Sequence, residues 1–331
     1  MEILKRISWI LNPFKVIVVL CVLFSQDVFA ANIQVVTKML NNTKIHVVAP
    51  ASGVPDEDLA RVKNSGLNLD LRSECFNSSN PFHSADDETR FQCLKNAIYD
   101  EKVEVIWCLR GGYGSAKLIE KLAELPKPKK QKIFIGYSDI TALHIFFNQE
   151  WGWKTIHGPS LIELVLDKKD ISSMLKLARL ITHKVKETTV ENIIPLNKIA
   201  KNTAKIDASL TGGNLTMVTT SLGTKWFIKA EGKILFLEDV GAKPYQIDRL
   251  LNHLKQAKVF EGVKAIIFGS FDQDDKSTME VLQIFAEEIK IPVFKTDRLG
   301  HQKFNDPIIC NSPSFIVTSA QKGYFNLVMN W

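Results

Sequence analysis

The stretch Lys132-Ile-Phe-Ile-Gly-Tyr-Ser-Asp-Ile-Thr-Ala-Leu-His-Ile-Phe-Phe147 passes from a continuous apolar run (132–137) through a polar corner into a helical pattern (139–151). A short apolar run bounded by turn residues reads as a strand buried on both faces, and the helix after it completes a β-α unit. The same grammar recurs on either side. Residues 45–49 read as a strand before a helix at 55–65, whose first turn holds Pro55 and acids. A second strand is expected at 67–71. A helix follows at 84–99, with Ser84 as N-cap and Phe91, Leu94 and Ile98 at helical spacing. Residues 103–109 form a strand before a helix at 115–125, and Thr155-Ile156 begins another strand. This alternation predicts an α/β fold with a parallel sheet covered on both faces, whose site lies at the carboxyl ends of the strands.

After Pro159 the pattern changes. Residues 161–180 are helical, and 183–205 are polar, rich in Lys and Thr, and without a strong period. The expected division is an N-terminal domain at 31–165, a crossover linker at 166–205 and a smaller C-terminal α/β domain at 206–331. The second domain carries a Gly212-Gly213-Asn214 turn, strands at 233–237 and 265–268, and helices at 245–258 and 277–289. Further strands are expected near Val293, near Ile308 and at 315–318. The basic loop from Pro126 to Lys132 reads as a solvated connection.

The chain has 331 residues, 45% hydrophobic and 24% charged, which suits a globular protein and excludes a mainly disordered one. Its formal charge of +6 is mild and does not by itself argue for a nucleic-acid partner, which needs clustered basic residues. Residues 1–30 read as a cleaved export signal. Lys5, Arg6 and Lys15 precede an apolar run from Val16 to Phe24, and Val28-Phe29-Ala30 offers small residues before a cleavage point. The run is too short for a bilayer span, which needs about 20 apolar residues. The alternative is an uncleaved membrane anchor. Cleavage would remove three bases (Lys5, Arg6, Lys15) and two acids (Glu2, Asp27), taking the charge from +6 to +5. An oxidising compartment would permit a Cys75–Cys93 bridge, although free thiols are equally compatible with the sequence. Cys108 and Cys310, in apolar strands, read as free.

Three strand ends can carry chemistry. Arg110-Gly-Gly-Tyr-Gly-Ser115 follows a buried strand and opens a helix, so its backbone N–H groups can cradle an anion or an oxyanion, or simply make a tight turn. Lys117 stands where a dinucleotide fingerprint would need its third glycine. Gly136-Tyr-Ser-Asp139 resembles the mechanics of a nucleophile elbow, with Ser138 at the top of the sheet. The competing reading is that Ser138 or Asp139 caps the following helix. Glu238-Asp239 ends a buried strand, where a carboxylate needs a partner. Among the histidines, His46, His144 and His253 fall inside regular elements and read as packed. His157 and His301 fall at a strand end and on a loop, and composition does not choose between them. No metal-ligand spacing is present.

Taken together, these motifs resemble the LD-carboxypeptidase family of serine peptidases, which includes murein tetrapeptide carboxypeptidases and microcin C immunity peptidases. The resemblance runs through Val47-Val-Ala-Pro-Ala-Ser52, Asp87-Glu-Thr-Arg90, Arg110-Gly-Gly-Tyr-Gly114, Gly136-Tyr-Ser-Asp-Ile-Thr-Ala-Leu143 and His157-Gly-Pro159. It continues in Gly212-Gly-Asn-Leu215, Leu237-Glu-Asp239, Tyr245-Gln-Ile-Asp-Arg249, Phe268-Gly-Ser-Phe271 and Gly300-His301. It implies a flavodoxin-like N-terminal domain with the nucleophile Ser138, and a C-terminal domain supplying the acid Glu238 and the base His301. The site would then lie at the interface. It implies an oxyanion hole from the N–H groups of Gly112 and Asp139, and no cofactor or metal. The implied substrate is a murein tetrapeptide, cut to release terminal D-alanine, with Arg110 either holding the terminal carboxylate or making a structural ion pair. Tyr245 and Arg249 read as packing of their helix.

Homodimers are common in the family, and a homodimer is the corresponding expectation here. Many relatives lack an export signal, so export of this chain implies work in a Gram-negative periplasm, with no membrane insertion after cleavage. Two rival readings are an immunity peptidase acting on an acyl-sulfamoyl-adenylate, and a non-catalytic exported solute-binding protein. The first would need an aromatic such as Trp153 or Trp226 to stack on adenine. The second would leave Ser138, His301 and Glu238 apart.

Overall fold

Runs of Ile, Val and Phe that leave no polar face must bury both sides, and in the computed structural model they do. It describes residues 34–76, 82–166, 168–271 and 276–331, so the segment read as an export signal lies outside the described residues. The strands of the first half are β1 (Ile45–Val48), β2 (Leu69–Asp70), β3 (Val105–Cys108), β4 (Ile133–Gly136) and β5 (Thr155–His157). Every residue of β1, β3, β4 and β5 is buried. The second half contributes β6 (Glu187–Pro195), β7 (Lys205–Asn214), β8 (Ile234–Glu238), β9 (Ala265–Phe268) and β10 (Val293–Lys295). After these come β11 (Ile308–Cys310), β12 (Pro313–Thr318) and β13 (Phe325–Asn330).

The first sheet has the order β11-β5-β4-β3-β1-β2, and all its pairings are parallel except β11 with β5. The second closes on itself as β10-β6-β13-β12-β7-β8-β9. Its parallel part, β7-β8-β9-β10, is flanked by antiparallel strands. The α/β class with a parallel sheet and a second domain is therefore the fold observed. Among the described residues no helix is long and apolar enough to cross a membrane.

The two strands absent from the sequence reading share one cause. The stretch 183–205, expected to lack a period, holds the nine-residue strand β6, whose burial pattern alternates irregularly. β13 was not anticipated either, and alternates strictly between buried and half-buried positions. Both are antiparallel strands with one face toward water, so their polar residues mask the signal that works for β1 or β4. The expected Gly212-Gly213-Asn214 turn is instead the end of β7. Gly213 has φ +143, and a Cβ there would stand 2.4 Å from Thr141 Oγ1, so glycine lets the second sheet touch the helix after Ser138.

Ser84 does not cap its helix. Asp86 does, accepting from the Thr89 N–H at 2.8 Å, while Ser84 Oγ donates to the Ala49 carbonyl at 2.6 Å. His253, expected to be packed, is exposed, and Tyr245 and Arg249 lie against each other at the surface, 5.4 Å from guanidinium to ring. Lys132 ends the basic loop but is buried, donating to the carbonyls of Asp100 and Val103.

Cys75 and Cys93 form a disulfide that ties a short helical turn to the helix Asp87–Tyr99, while Cys108 and Cys310 are free and buried. Burial pushes the Cys108 thiol well above its ordinary value and holds Cys310 up at about 12, so both are inert at neutral pH. A cross-link over 18 residues removes chain entropy from the unfolded state worth about 3 kcal/mol. Reduction, or Cys93→Ser, should lower unfolding stability by about 2–4 kcal/mol in a urea titration. An unchanged midpoint would show that the cross-link does not constrain the unfolded chain.

Candidate active site

The carboxyl ends of β1, β3 and β4 are drawn together by polar side chains from the turns beyond the strands and from the helix Asp87–Tyr99. Arg90, fully buried, donates to the carbonyls of Pro50 and, at 3.1 Å, Gly114, and pairs with Asp87 at 2.5 Å. Ser52 Oγ accepts the Tyr113 N–H at 3.1 Å and donates to the Phe82 carbonyl at 2.6 Å. Gly112, at φ +106, lies so close that a Cβ would meet Ser52 Oγ at 2.2 Å.

Ser138 stands in the left-handed region at φ +63, a conformation that costs a non-glycine residue about 1–2 kcal/mol. It caps nothing: neither the short turn Ser138–Ile140 nor the helix Thr141–Glu150 has a side-chain cap. Its neighbour Asp139 does cap, but on another element. The Asp139 carboxylate accepts from the N–H groups of Ser115 (2.8 Å) and Gly114 (3.3 Å), and its carbonyl accepts from Ser115 Oγ (2.6 Å). Neither Ser138 nor Asp139 caps the following helix, so the capping reading of this corner is corrected: Ser138 takes a left-handed conformation, and Asp139 holds the turn at Gly114 and Ser115. The Asp139 N–H lies in the first helical turn, where backbone donors find no partner within the helix.

Ser138 and His301 line one cavity of about 180 Å³, together with Arg110, Gly112, Tyr137 and Glu163. Arg110 is half-buried and donates to the Gly53 carbonyl at 3.2 Å. No acidic partner lies within ion-pair distance of it among the described residues, so the structural ion pair is not found.

Glu238 ends β8 with no exposed surface. Its Oε2 accepts from His301 Nδ1 at 2.6 Å, and its Oε1 lies 3.8 Å from His157 Nε2. Burial alone would raise the Glu238 pKa. The charge of His301 and the contacts with both imidazoles outweigh it and hold Glu238 down at about 2. Burial alone would lower His301, but the charge and hydrogen bond of Glu238 hold it above its ordinary value of 6.5. His157 is fully buried and pulled down by burial, with Glu238 opposing, so it is neutral at pH 7. Of the two histidines left open by composition, His301 reaches the cavity, whereas His157 stands on the other oxygen of the acid. Asp239, next in sequence, turns away: it accepts from Thr216, Asn214 and the Val240 N–H and so holds the start of the helix Leu215–Thr220.

Comparison with known proteins places the chain in a family. Residues 45–158 match the LD-carboxypeptidase N-terminal domain and residues 207–314 match the C-terminal domain. A Rickettsia conorii protein named "Putative carboxypeptidase RC0549" is 51% identical over 99% of both chains. A Bacillus subtilis protein named "Probable murein peptide carboxypeptidase" is 31% identical over 91% of this chain and 94% of its own. The chain belongs to the LD-carboxypeptidase family. The muramoyltetrapeptide carboxypeptidase of Oxalobacter formigenes shares the fold, with a TM-score of 0.72 at 24% identity, over 87% of this chain and 99% of its own.

Sequence reasoning missed the residues of this LD-carboxypeptidase-family chain that surround His301. The Tyr137 ring lies 4.7 Å from the His301 ring, and its hydroxyl donates to Glu163 at 2.5 Å. Glu163 also accepts from the Ser160 N–H and hydroxyl at 3.0 Å. The pattern Ser-x-x-Glu at 160–163 was a legible helix start, and the same carboxylate reaches the site.

Two expectations follow. Ser138→Gly relieves the left-handed strain and should unfold about 0.5–1 kcal/mol later than wild type, read by thermal or urea denaturation; a loss of stability would mean that φ at 138 carries no strain. In ring-nitrogen NMR, His301 should titrate above 6.5, because ionised Glu238 favours the imidazolium. Glu238→Gln removes that charge and should move the midpoint down; no movement would separate the two residues electrostatically.

Proposed function

We propose that this chain is a serine-type LD-carboxypeptidase that releases the terminal D-alanine from murein tetrapeptides. The observation that carries the reading is the shared cavity, which strained Ser138 lines together with the His301 end of a buried imidazole–carboxylate pair.

The chemistry follows from the groups in place. His301 is neutral above its pKa, and its Nε2 takes the Ser138 proton as Oγ attacks the carbonyl before the D-alanine nitrogen. Glu238, ionised across the working range, accepts a hydrogen bond from Nδ1–H, keeps its charge and stabilises the imidazolium that forms. The oxyanion is held by the N–H groups of Gly112 and Asp139. The turn that carries Gly112 is braced in advance by Arg90 and by the Asp139 side chain, so little reorganisation is left for the reaction. The acyl C–N bond breaks as His301 returns the proton to the leaving amine. Water, deprotonated by the same imidazole, then frees Ser138. Arg110, half-buried on the cavity wall and without an acidic partner among the described residues, is suited to the substrate's terminal carboxylate.

The Cys75–Cys93 bridge supports work in an oxidising compartment, consistent with a signal at residues 1–30 and a periplasmic site of action. The adenylate-cleaving alternative draws no support from Trp153 or Trp226, both buried in the core. A solute-binding protein would have no use for an ionised carboxylate buried behind an imidazole.

Ser138→Ala should fold as wild type and lose D-alanine release from murein tetrapeptide by on the order of 10⁴-fold or more. Wild-type kcat should rise with pH along a limb centred above 6.5, since the base must be neutral. Full activity in the variant would remove Ser138 from the chemistry. Faster turnover of an acyl-sulfamoyl-adenylate in a parallel assay would overturn the murein assignment alone.

A further inference from the structure

A lysine that takes no part in the scheme above is buried beside the base. The Lys169 side chain is 1% exposed. Its Nζ donates to three consecutive carbonyls, Gly300 at 3.2 Å, His301 at 2.8 Å and Gln302 at 2.7 Å. It also lies 3.5 Å from Glu163 Oε1 and 5.3 Å above the centre of the Tyr137 ring.

An ammonium has three donors, and three carbonyls meet them. Successive carbonyls that converge on one point belong to neither a helix nor a strand. Without the cation the Gly300 carbonyl would be a buried acceptor and the half-buried His301 carbonyl would lose its donor. Burying the amine is costly, and its pKa is lowered by that burial against the pull of Glu163 and Glu238. A purely structural need for the loop could be met by backbone donors, so the placement of a cation here calls for a further role. Its partners supply one: the backbone it grips carries His301, and the ring it covers, Tyr137, packs on the His301 imidazole.

We propose that Lys169 is a positioning residue for the reaction: its ammonium gathers the 300–302 backbone against Glu163 and Tyr137, and so aims His301 between Glu238 and Ser138. The inference rests on the reading of His301 as the base. The groups facing His301 are Glu238 at its Nδ1, Glu163 and Lys169 from the segment after β5, Tyr137 on its ring, and His157 behind Glu238. The two carboxylates favour the imidazolium and Lys169 opposes it. Removing the ammonium therefore raises the His301 pKa and moves the acid limb of kcat to higher pH.

The test compares Lys169→Met and Lys169→Arg with wild type, Ser138→Ala and His301→Ala, following kcat and KM for D-alanine release across pH. A displaced base predicts a kcat about 10–100-fold lower in Lys169→Met, with KM within about twofold and the acid limb at higher pH. Lys169→Arg keeps the charge but spreads its donors over a planar fork, so it should show an intermediate kcat with the limb of wild type. Wild-type kcat in Lys169→Met overturns the proposal. So does a loss of kcat with an unmoved limb and no recovery in Lys169→Arg, which is the signature of a merely structural lysine. If Lys169→Met does not fold, Lys169→Arg decides, and a wild-type kcat there overturns it. Wild-type kinetics in Lys169→Met beside an inactive His301→Ala refute this inference and leave the base standing, whereas activity in His301→Ala refutes the base itself.

Discussion

A carboxylate with no access to water ends strand β8, and much of the arrangement around it is a consequence of keeping it ionised. Burial of a lone carboxylate would raise its pKa until it took a proton. Glu238 stays charged because imidazoles approach both its oxygens, His157 from the end of β5 in one sheet and His301 from the loop after β10 in the other. The group that most needs partners therefore sits where the two sheets meet and draws on both. Such a pair is weak evidence of stability, since desolvation offsets much of the attraction. What it supplies is orientation: a fixed tautomer at His301, with the far nitrogen directed away from the acid.

The opposite wall is organised by a different economy of charge. Asp139 and Arg90 are buried ions whose partners are chiefly backbone groups, two N–H groups for the one and two carbonyls for the other. They convert the flexible Gly-rich turn after β3 into a rigid shelf beside Ser138. Flexibility in the sequence and rigidity in the structure are compatible here. Glycine permits the positive φ at 112, and the neighbouring ions then hold the turn in one conformation.

What could be read from the chain follows from the same physics. Strands buried on both faces announce themselves as apolar runs, so β1, β3, β4, β8 and β9 were legible, and with them the corners that carry Ser138 and Glu238. β6 and β13, with one wet face each, were not: they hide among Lys, Thr and Asn, and without them the second sheet cannot be seen to close. The candidate acid was visible only as a residue at a strand end and the base only as a loop histidine, and it took the resemblance to select His301 over His157. Lys169, Tyr137 and Glu163 were invisible as a set because their relation is purely spatial. A lysine between two helices has no periodic signature until the carbonyls it gathers are known.

The connectivity explains why a clamp is placed at this loop rather than elsewhere. The chain leaves the barrel after Lys295 and enters the first sheet at Ile308, where it pairs antiparallel with β5 so that Ile308 stands opposite His157. The loop between them therefore has its two ends in different sheets. Its far part is anchored through Asp306, which binds Arg298, Lys176 and Ser173. Any small movement of one sheet against the other would be taken up in the loop, which is the segment that holds His301. An ammonium bound at once to the loop backbone and to Glu163 of the helix after β5 opposes that slack where a displacement of an ångström would cost most.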